Sequence, residues 1–228
     1  RPRNNMIWSM VLKSLETLNN EIIQCRKCPR LVEWREEVAR VKRKAYKDVD
    51  YWGKPVPGFG DPQARVLVVG LAPGAHGSNR TGRQFTGDAS GGFLFPALHR
   101  AGFANQAEAE FRSDGLILKD MYITASGRCA PPDNKPSPQE LNNCQPYLEM
   151  ELKILQPKVI VCLGKIAFDR ILKVFALRNL KFSHGAVYEL MTDHWLLASY
   201  HPSQQNTLTG KLTIDMFDQI WKKAKSLL

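Results

Sequence analysis

Residues 65–88 read RVLVVGLAPGAHGSNRTGRQFTGD, a strand-like run followed by an unusually long glycine-rich loop. The run RVLVVGL (65–71) is almost continuously apolar, which is typical of a strand that a parallel sheet buries on both faces. The nineteen residues from Gly70 to Asp88 then include five glycines, two arginines and one Phe. A simple turn needs far fewer residues. We therefore predict that this loop holds a ligand.

Short apolar runs continue along the chain after this loop. The further candidate strands are DMYITAS (120–126), KVIVCLG (158–164) and HWLLASY (194–200). Helix-like stretches separate them, and this alternation predicts a parallel sheet with helices on both faces. Ligands of such sheets bind at the carboxyl ends of the strands, where we expect the loops after the first, second and last candidate strands to meet.

Two further stretches of the chain carry clear helix signals. Residues 7–20 carry apolar side chains at helical spacing, namely Ile7, Met10, Val11, Leu15 and Leu18. The helix before the third strand begins with SPQE (137–140), in which the serine can cap the helix, the proline takes the first helical position and the glutamate completes a capping box. We see no linker or repeat, so residues 1–228 are predicted to form one domain.

The charge balance is basic, with 32 Lys and Arg against 22 Asp and Glu and a net charge of +10. A basic excess favours polyanionic partners such as nucleic acids, because bound phosphates release their counterions. No apolar run approaches the roughly 18 residues of a membrane span. The first residues, RPRNNMIWSM, lack the apolar core of a signal peptide. These features predict a cytoplasmic protein with no membrane partner.

Four of the five cysteines form two spaced pairs. Cys25 and Cys28 lie in CRKC, and Cys129 and Cys144 follow about a hundred residues later. Two such pairs suit coordination by four thiolates, and their spacing fits either zinc or a [4Fe–4S] cluster. A disulfide is disfavoured because nothing indicates secretion. Cys162, inside an apolar run, is predicted to be an inert core thiol.

Three residues of the predicted loops have both a packing and a functional interpretation. Phe85 is either a hydrophobic plug or a stacking face for a planar ligand such as a nucleobase. Asp88 can cap the helix that follows it, hold a water molecule, or do both. His201 can donate a hydrogen bond to an anionic leaving group, although a lone His is more often a surface or packing residue.

The four-cysteine pattern and three motifs, GLAPGAHGSNRTGRQFTGD, RCAPPDNKPSP and HPSQQNT, resemble those of the iron–sulfur uracil-DNA glycosylases of the type B (family five) branch. The match runs from Cys25 to about Asn206. It implies an α/β fold with three α/β/α layers around a central four-stranded parallel sheet. It also implies monofunctional hydrolysis of the N-glycosidic bond of uracil in DNA, and of purine lesions such as hypoxanthine or xanthine.

The resemblance assigns roles to individual positions of this sequence. It implies a structural [4Fe–4S] cluster on Cys25, Cys28, Cys129 and Cys144, which would tie the N-terminal helices to the domain. The implied site roles are backbone contacts to the base at Gly70, Leu71 and Ala72, stacking on the flipped base at Phe85, a water-positioning carboxylate at Asp88, a base or backbone contact at Asn134, and a hydrogen bond from His201 to the base carbonyl oxygen.

Two departures from the wider superfamily bear on specificity. Many relatives carry a polar residue just after the first glycine, where this chain has Leu71, Ala72 and Pro73, and this directs attention to Asp88. Many also carry an Asn at the end of the second strand, where this chain has Ala125. A pocket without that amide is expected to discriminate less between bases.

We expect a monomer that acts on DNA in the nucleoid-associated cytoplasm. The competing hypothesis is a non-catalytic nucleic-acid-binding protein with a structural metal. It accounts for the basic charge and the cysteines, but it gives Asp88 and His201 no role.

Overall fold

The computed structural model describes the backbone of residues 5–228 and the side chains from Ser9 onward. Residues 1–4 of the predicted domain and the side chain of Ile7 therefore lie outside the described residues. Within residues 5–228 the strands form one six-stranded sheet in the order β1-β3-β2-β4-β6-β5. The strand bounds are Phe59–Gly60 (β1), Val66–Gly70 (β2), Met121–Ala125 (β3), Val159–Leu163 (β4), Val187–Met191 (β5) and His194–Ser199 (β6).

After an N-terminal pair, helices separate the four inner strands, and two more follow the last strand. Their bounds are Asn5–Ile23 (α1), Pro29–Val41 (α2), Ser78–Thr81 (α3), Ala89–Arg100 (α4), Pro138–Leu155 (α5), Lys165–Val174 (α6), Gln204–Leu208 (α7) and Ile214–Ser226 (α8). The predicted capping box of α5 is present. Within the described part of the chain, no helix combines the length and the apolar character needed to cross a membrane.

The four predicted strands form the parallel centre of the sheet. Strand β2 pairs in parallel with β3 and β4, and β4 pairs in parallel with β6. The predicted central four-stranded parallel sheet is confirmed, and β1 and β5 extend it to six strands with antiparallel edges. Strand β1 has only two residues, and β5 is half-exposed, so neither gives the continuous apolar signal of the inner strands. The α/β class is confirmed.

Two apolar cores cover the two faces of the sheet. Alternate residues of β2 point to opposite faces, so Val66 and Val68 join one core while Leu67 and Val69 join the other. Helices α4 and α8 cover the first face, with Phe95 and Trp221 among the buried side chains. Helices α1, α5 and α6 cover the second face. The three-layer architecture therefore follows from strands that are apolar on both sides.

Candidate active site and cysteine cluster

The loops after β2 and β3 are joined where they leave the carboxyl edge of the sheet. The Ser126 amide donates to the Gly70 carbonyl at 2.9 Å, and the Gly127 amide donates to the Leu71 carbonyl at 2.8 Å. A Cβ atom on Gly127 would lie 3.3 Å from the Ala72 Cβ. Within the described residues, the Leu71 and Ala72 amides donate no hydrogen bond. The strand ends thus present two free donors of the kind that stabilise a developing anion.

Phe85 packs into the end of the sheet and also faces His201. Its side chain is 7% exposed and belongs to the core under α4. A Cβ atom on Gly70 would lie 2.7 Å from the Phe85 Cζ, so the close approach of the ring requires glycine there. The centroids of the Phe85 and His201 rings are 5.9 Å apart, with the ring planes at 31°. Phe85 therefore anchors the loop as a plug, and its ring lies beside the second candidate side chain.

His201 follows β6 and is fixed through its backbone. The Asn206 side-chain amide donates to the His201 carbonyl at 2.9 Å, and Ser203 caps the short helix α7. A Cβ atom on Gly164 would lie 3.3 Å from the His201 Cβ. The His201 ring makes no hydrogen bond to any described residue. Burial lowers the pKa of His201 to about 4, so its imidazole is neutral at physiological pH.

Asp88 fills the capping role that the sequence allowed and is packed against the loop before it. Its Oδ1 accepts a hydrogen bond from the Gly91 amide at 2.9 Å, which confirms the predicted cap of α4. A Cβ atom on Gly77 would collide with Oδ2, so this oxygen lies against the glycine-rich loop. Burial raises the pKa of Asp88, while hydrogen bonds from the Gly91 and Ser90 amides and the charge of Arg80 oppose that rise.

The structure brings most of the predicted site residues to the carboxyl edge. Gly70 contacts Phe85, Phe85 lies beside His201, and the backbone leads from Phe85 into the cap at Asp88. Asn134 is not joined to this group: it is exposed in a left-handed turn, with φ of 55°, and no described residue is hydrogen-bonded to its side chain.

Three residues near the site were not identified from the sequence. Arg80 donates to the His76 carbonyl at 2.7 Å and to the Gly87 carbonyl at 2.9 Å, and so braces the loop before Asp88. Arg83 forms a buried ion pair with Asp114 at 2.7 Å. Leu208 is 77% exposed at the end of α7. The two arginines inside the glycine-rich loop could have indicated that this loop is held by side-chain hydrogen bonds, whereas nothing in the sequence indicates that Leu208 is exposed.

The four paired cysteines line one small cavity. Cys25, Cys28, Cys129 and Cys144 are all free thiols around it. Among the described residues, no three His, Cys, Asp or Glu side chains are arranged to hold a metal ion. Cys162 lies apart from them in β4, as predicted for a core thiol.

Polar donors surround the buried sulfur atoms. The Arg35 guanidinium donates to the Cys129 Sγ at 3.0 Å, and the Asn143 amide donates to the Cys28 Sγ at 3.3 Å. Arg35 is only 2% exposed, and its nearest carboxylate, Glu36, lies 3.7 Å away. Burial raises the pKa of Cys129 to about 12, so this thiol ionises only where positive charge balances it. Four thiols with such donors have the chemistry of a ligand set for an iron–sulfur cluster, in which each cysteine binds a different iron atom and the thiols need not converge on one ion.

Comparison with known proteins identifies the family. A model of the uracil DNA glycosylase superfamily matches residues 57–225. The chain is 54% identical over 215 residues to the type-5 uracil-DNA glycosylase of Thermus thermophilus, covering 93% of this chain and 97% of that relative. The type-5 uracil-DNA glycosylase of Mycobacterium leprae is 52% identical, covering 94% of this chain and 96% of that relative. The type-5 uracil-DNA glycosylase of Pyrobaculum aerophilum is 43% identical, covering 90% of this chain and 89% of that relative. These matches confirm the resemblance of the motifs, and the chain belongs to the type-5 branch of the uracil DNA glycosylase superfamily.

Proposed function

We propose that this protein removes uracil from DNA by hydrolysing its N-glycosidic bond, leaving an abasic site. The observation that carries the proposal is the grouping of Phe85, His201 and Asp88 at the carboxyl edge of the sheet. The type-5 relatives, which are named uracil-DNA glycosylases, support the same activity.

Access to the base requires that the nucleotide leave the helical stack. Extrusion costs a few kcal/mol, which contacts between a basic protein and phosphates offset. The net charge of +10 would favour such contacts. The extruded base would stack against the Phe85 ring, and its carbonyl oxygen would face His201.

His201 and two backbone amides would stabilise the leaving base. As the bond between C1′ and the base nitrogen breaks, its electron pair stays with the base, and negative charge develops on a carbonyl oxygen. His201 is neutral because its pKa lies near 4. A neutral imidazole keeps one N–H group, which can donate a hydrogen bond to that oxygen. The free amides of Leu71 and Ala72 offer further donors. Removing one such donor typically costs about 2.7–4 kcal/mol of transition-state stabilisation.

Asp88 would act on the opposite partner of the broken bond, the sugar. Positive charge builds on the sugar in an oxocarbenium-like state, as in glycoside hydrolysis. Because Oδ1 accepts the hydrogen bond that caps the helix, Oδ2 is the oxygen that would orient the attacking water and accept its proton. The hydroxide then adds to C1′, and the base takes a proton from solvent.

The activity is tested by single-turnover excision from a duplex that carries one uracil. Asp88→Asn and His201→Gln are expected to lower the rate by about 100-fold or more. Asp215→Asn, which removes an exposed carboxylate in the first turn of α8, serves as the matched control. Absence of excision by the unmodified protein, with DNA binding retained, would instead support the non-catalytic hypothesis. Near-normal rates in both site variants would refute the site assignment.

The range of bases is a second part of the proposal. Ala125, at the end of β3, offers no side-chain amide to select uracil. We propose that hypoxanthine and xanthine are also removed. Oligonucleotides carrying one lesion each provide the test, and excision confined to uracil would reject it.

We also propose that the four paired cysteines hold a structural [4Fe–4S] cluster. The cavity they share and the hydrogen bonds that Arg35 and Asn143 donate to sulfur support a cluster at this place. The negative charge of four thiolates would also balance buried Arg35. Analysis of iron, sulfide and zinc in the purified protein tests this, and stoichiometric zinc without sulfide would reject it.

The remaining expectations follow from the proposed activity. A lesion in DNA needs one site, so we propose a monomer that works at the nucleoid in the cytoplasm. Sedimentation with and without DNA tests the oligomeric state.

A further inference from the structure

Residues 40–54, here named the basic segment, carry a concentrated positive charge. They contain six Lys and Arg against two Asp, which gives a net +4 of the chain's +10. Arg40 and Lys42 form ion pairs. Arg43, Lys44 and Lys47 are exposed, and none forms a salt bridge with any described residue. These three charges are therefore available to an anionic partner.

The basic segment lies directly beside the glycine-rich loop. The Tyr51 hydroxyl is 3.0 Å from the His76 Nδ1, and the Trp52 amide donates to the Arg80 carbonyl at 2.9 Å. Arg80 also donates at 2.9 Å to the carbonyl of Gly87, the residue before Asp88, and its charge opposes the burial-driven rise in the pKa of that carboxyl. The basic segment is thus connected to the loop that carries Asp88.

Aromatic rings of the segment orient neighbouring cations. The Arg80 guanidinium lies 4.0 Å from the centroid of the Tyr46 ring, and the Arg112 guanidinium lies 4.7 Å from that of Trp52. Lys54 also lies over the Trp52 ring, at 5.6 Å. Cations that are already oriented lose less side-chain freedom when they bind a phosphate. One cation therefore lies against the Tyr46 ring, and two lie against the Trp52 ring.

We propose that the basic segment binds the phosphodiester backbone of DNA beside the extruded nucleotide. The inference rests on the proposed function, because it takes that nucleotide to lie between Phe85 and Asp88. The negative charge of Asp88 repels the flanking phosphates. Arg80 would offset that repulsion together with Arg43, whose backbone amide donates at 3.4 Å to the Tyr51 hydroxyl that contacts His76.

The test compares two triple variants of equal net charge. Arg43→Gln/Lys44→Gln/Lys47→Gln neutralises the basic segment. Lys153→Gln/Lys222→Gln/Lys223→Gln removes three exposed charges near the C-terminal ends of α5 and α8. That end of α8 lies at the amino edge of the sheet, because Lys158, just before β4, donates to the Leu228 carbonyl. Both variants carry +7, which is the original +10 minus three.

Affinity is measured by fluorescence anisotropy on a short duplex that carries a stable abasic-site analogue, at several salt concentrations. The basic-segment variant is expected to bind at least about tenfold more weakly, and its log-affinity slope against log salt falls by about 1 for each phosphate that the protein no longer neutralises. Its excision of uracil falls at sub-saturating protein and recovers when protein is in excess. The control variant is expected to keep the original slope and rate.

Each contrary result has a distinct meaning. Equal weakening in both variants would assign the effect to the overall charge and overturn the proposal. Unchanged affinity in the basic-segment variant would overturn it as well, and so would an excision rate that stays low at saturation, because the segment would then shape the catalytic site. If the unmodified protein binds DNA but excises no uracil, the proposed function fails separately from this inference.

Discussion

Phe85 adopts a backbone conformation that non-glycine residues avoid. Its φ of 54° lies in the left-handed region, which costs about 1–3 kcal/mol and persists only where the surroundings enforce it. Here the ring packs against Gly70 and the core, and the same constraint orients it beside His201. Strain in the main chain at this one residue is therefore coupled to the orientation of the ring.

Phe85→Leu is expected to separate packing from stacking. Leucine keeps much of the buried volume, so the loss of unfolding free energy stays below the about 3–5 kcal/mol typical of Phe→Ala. It lacks a planar face, so excision at sub-saturating DNA falls by roughly 10-fold or more, since stacking of a base on a ring is worth about 1–3 kcal/mol. Chemical denaturation and single-turnover kinetics measure the two effects. A normal rate in this variant would assign Phe85 to packing only.

His201 makes the stability of the protein depend on pH. The pKa is about 4 in the folded chain, against 6.5 for the free side chain, so the unfolded state binds more protons between these values. The contribution of the neutral His201 ring to the free energy of unfolding is fully present above pH 6.5 and is lost as the pH falls towards 4. Relative to His201→Gln, the unmodified protein should lose up to about 3 kcal/mol over that range. A pH-independent difference between the two unfolding curves would contradict the burial of the imidazole.

At the scale of elements, the loop before Asp88 is held by a buried ion pair. Arg83 and Asp114 are 6% and 7% exposed, and the Arg83 Nε also donates to the Thr86 hydroxyl at 2.9 Å. Burial disfavours the Asp114 carboxylate, but the hydrogen bonds from Arg83 and from the Leu116 and Glu110 amides prevail and lower its pKa to about 2. The pair thus ties the stretch of loop that carries Phe85 to a second loop.

Asp114→Asn leaves Arg83 buried without its counter-charge and is expected to cost about 3–5 kcal/mol of stability. The double variant Arg83→Met/Asp114→Asn should recover much of that stability, because no charge is left buried and the asparagine oxygen still accepts from the Leu116 amide. It should not recover the excision rate, since it removes the hydrogen bond from Arg83 to Thr86. Thermal unfolding and single-turnover kinetics report the two properties. Recovery of both would show that the pair contributes stability only.

Helix α7, which begins three residues after His201, presents Leu208 to solvent at its last position. Apolar side chains that enter a duplex separate stacked bases and so favour extrusion. Leu208→Ala is expected to slow uracil excision from duplex DNA far more than from a single strand, which needs no unpairing. Met191→Ala, at an exposed apolar residue of β5, is the control. Equal losses on both substrates would exclude such a role.

The inner strands and the helix caps were predictable because each has a strong local signal. Apolar runs predicted β2 and β4 within one residue at each end, and the capping box fixed the start of α5. Strand β5 gave no such signal, because it is half-exposed and pairs on one side only. The Arg83–Asp114 pair joins residues 31 positions apart in two loops, and sequence spacing does not encode such contacts. Asn134 was grouped with the site by its motif, yet it is exposed in a turn.

At the scale of the molecule, the cysteine cavity joins the N-terminal helices to the sheet. Cys28 precedes α2, Cys129 follows β3, and Cys144 lies in α5. A cluster held there would add its binding free energy to that of folding. Its removal is therefore expected to weaken the contacts between the N-terminal helices and the rest of the chain.

Cys144→Ser is expected to lower the iron content and to destabilise the protein by at least about 2 kcal/mol, which corresponds to a fall in Tm of roughly 4–8 °C for a chain of this size. Cys162→Ala is the matched control, because Cys162 is buried outside the cavity and should leave the iron content unchanged. Calorimetry and metal analysis check both. Equal iron contents in the two variants would argue against the cluster.

The two edges of the sheet have a consequence for behaviour at high concentration. One edge ends in β1, which has only two residues, and the other ends in β5, which has an irregular register between Glu189 and Met191 and an exposed charge at Glu189. Open backbone ladders recruit strands from other molecules and seed fibrils, whereas short, bulged and charged edges resist such recruitment. The sheet is therefore poorly suited to templating aggregation, although its four central strands are among the most apolar segments of the chain.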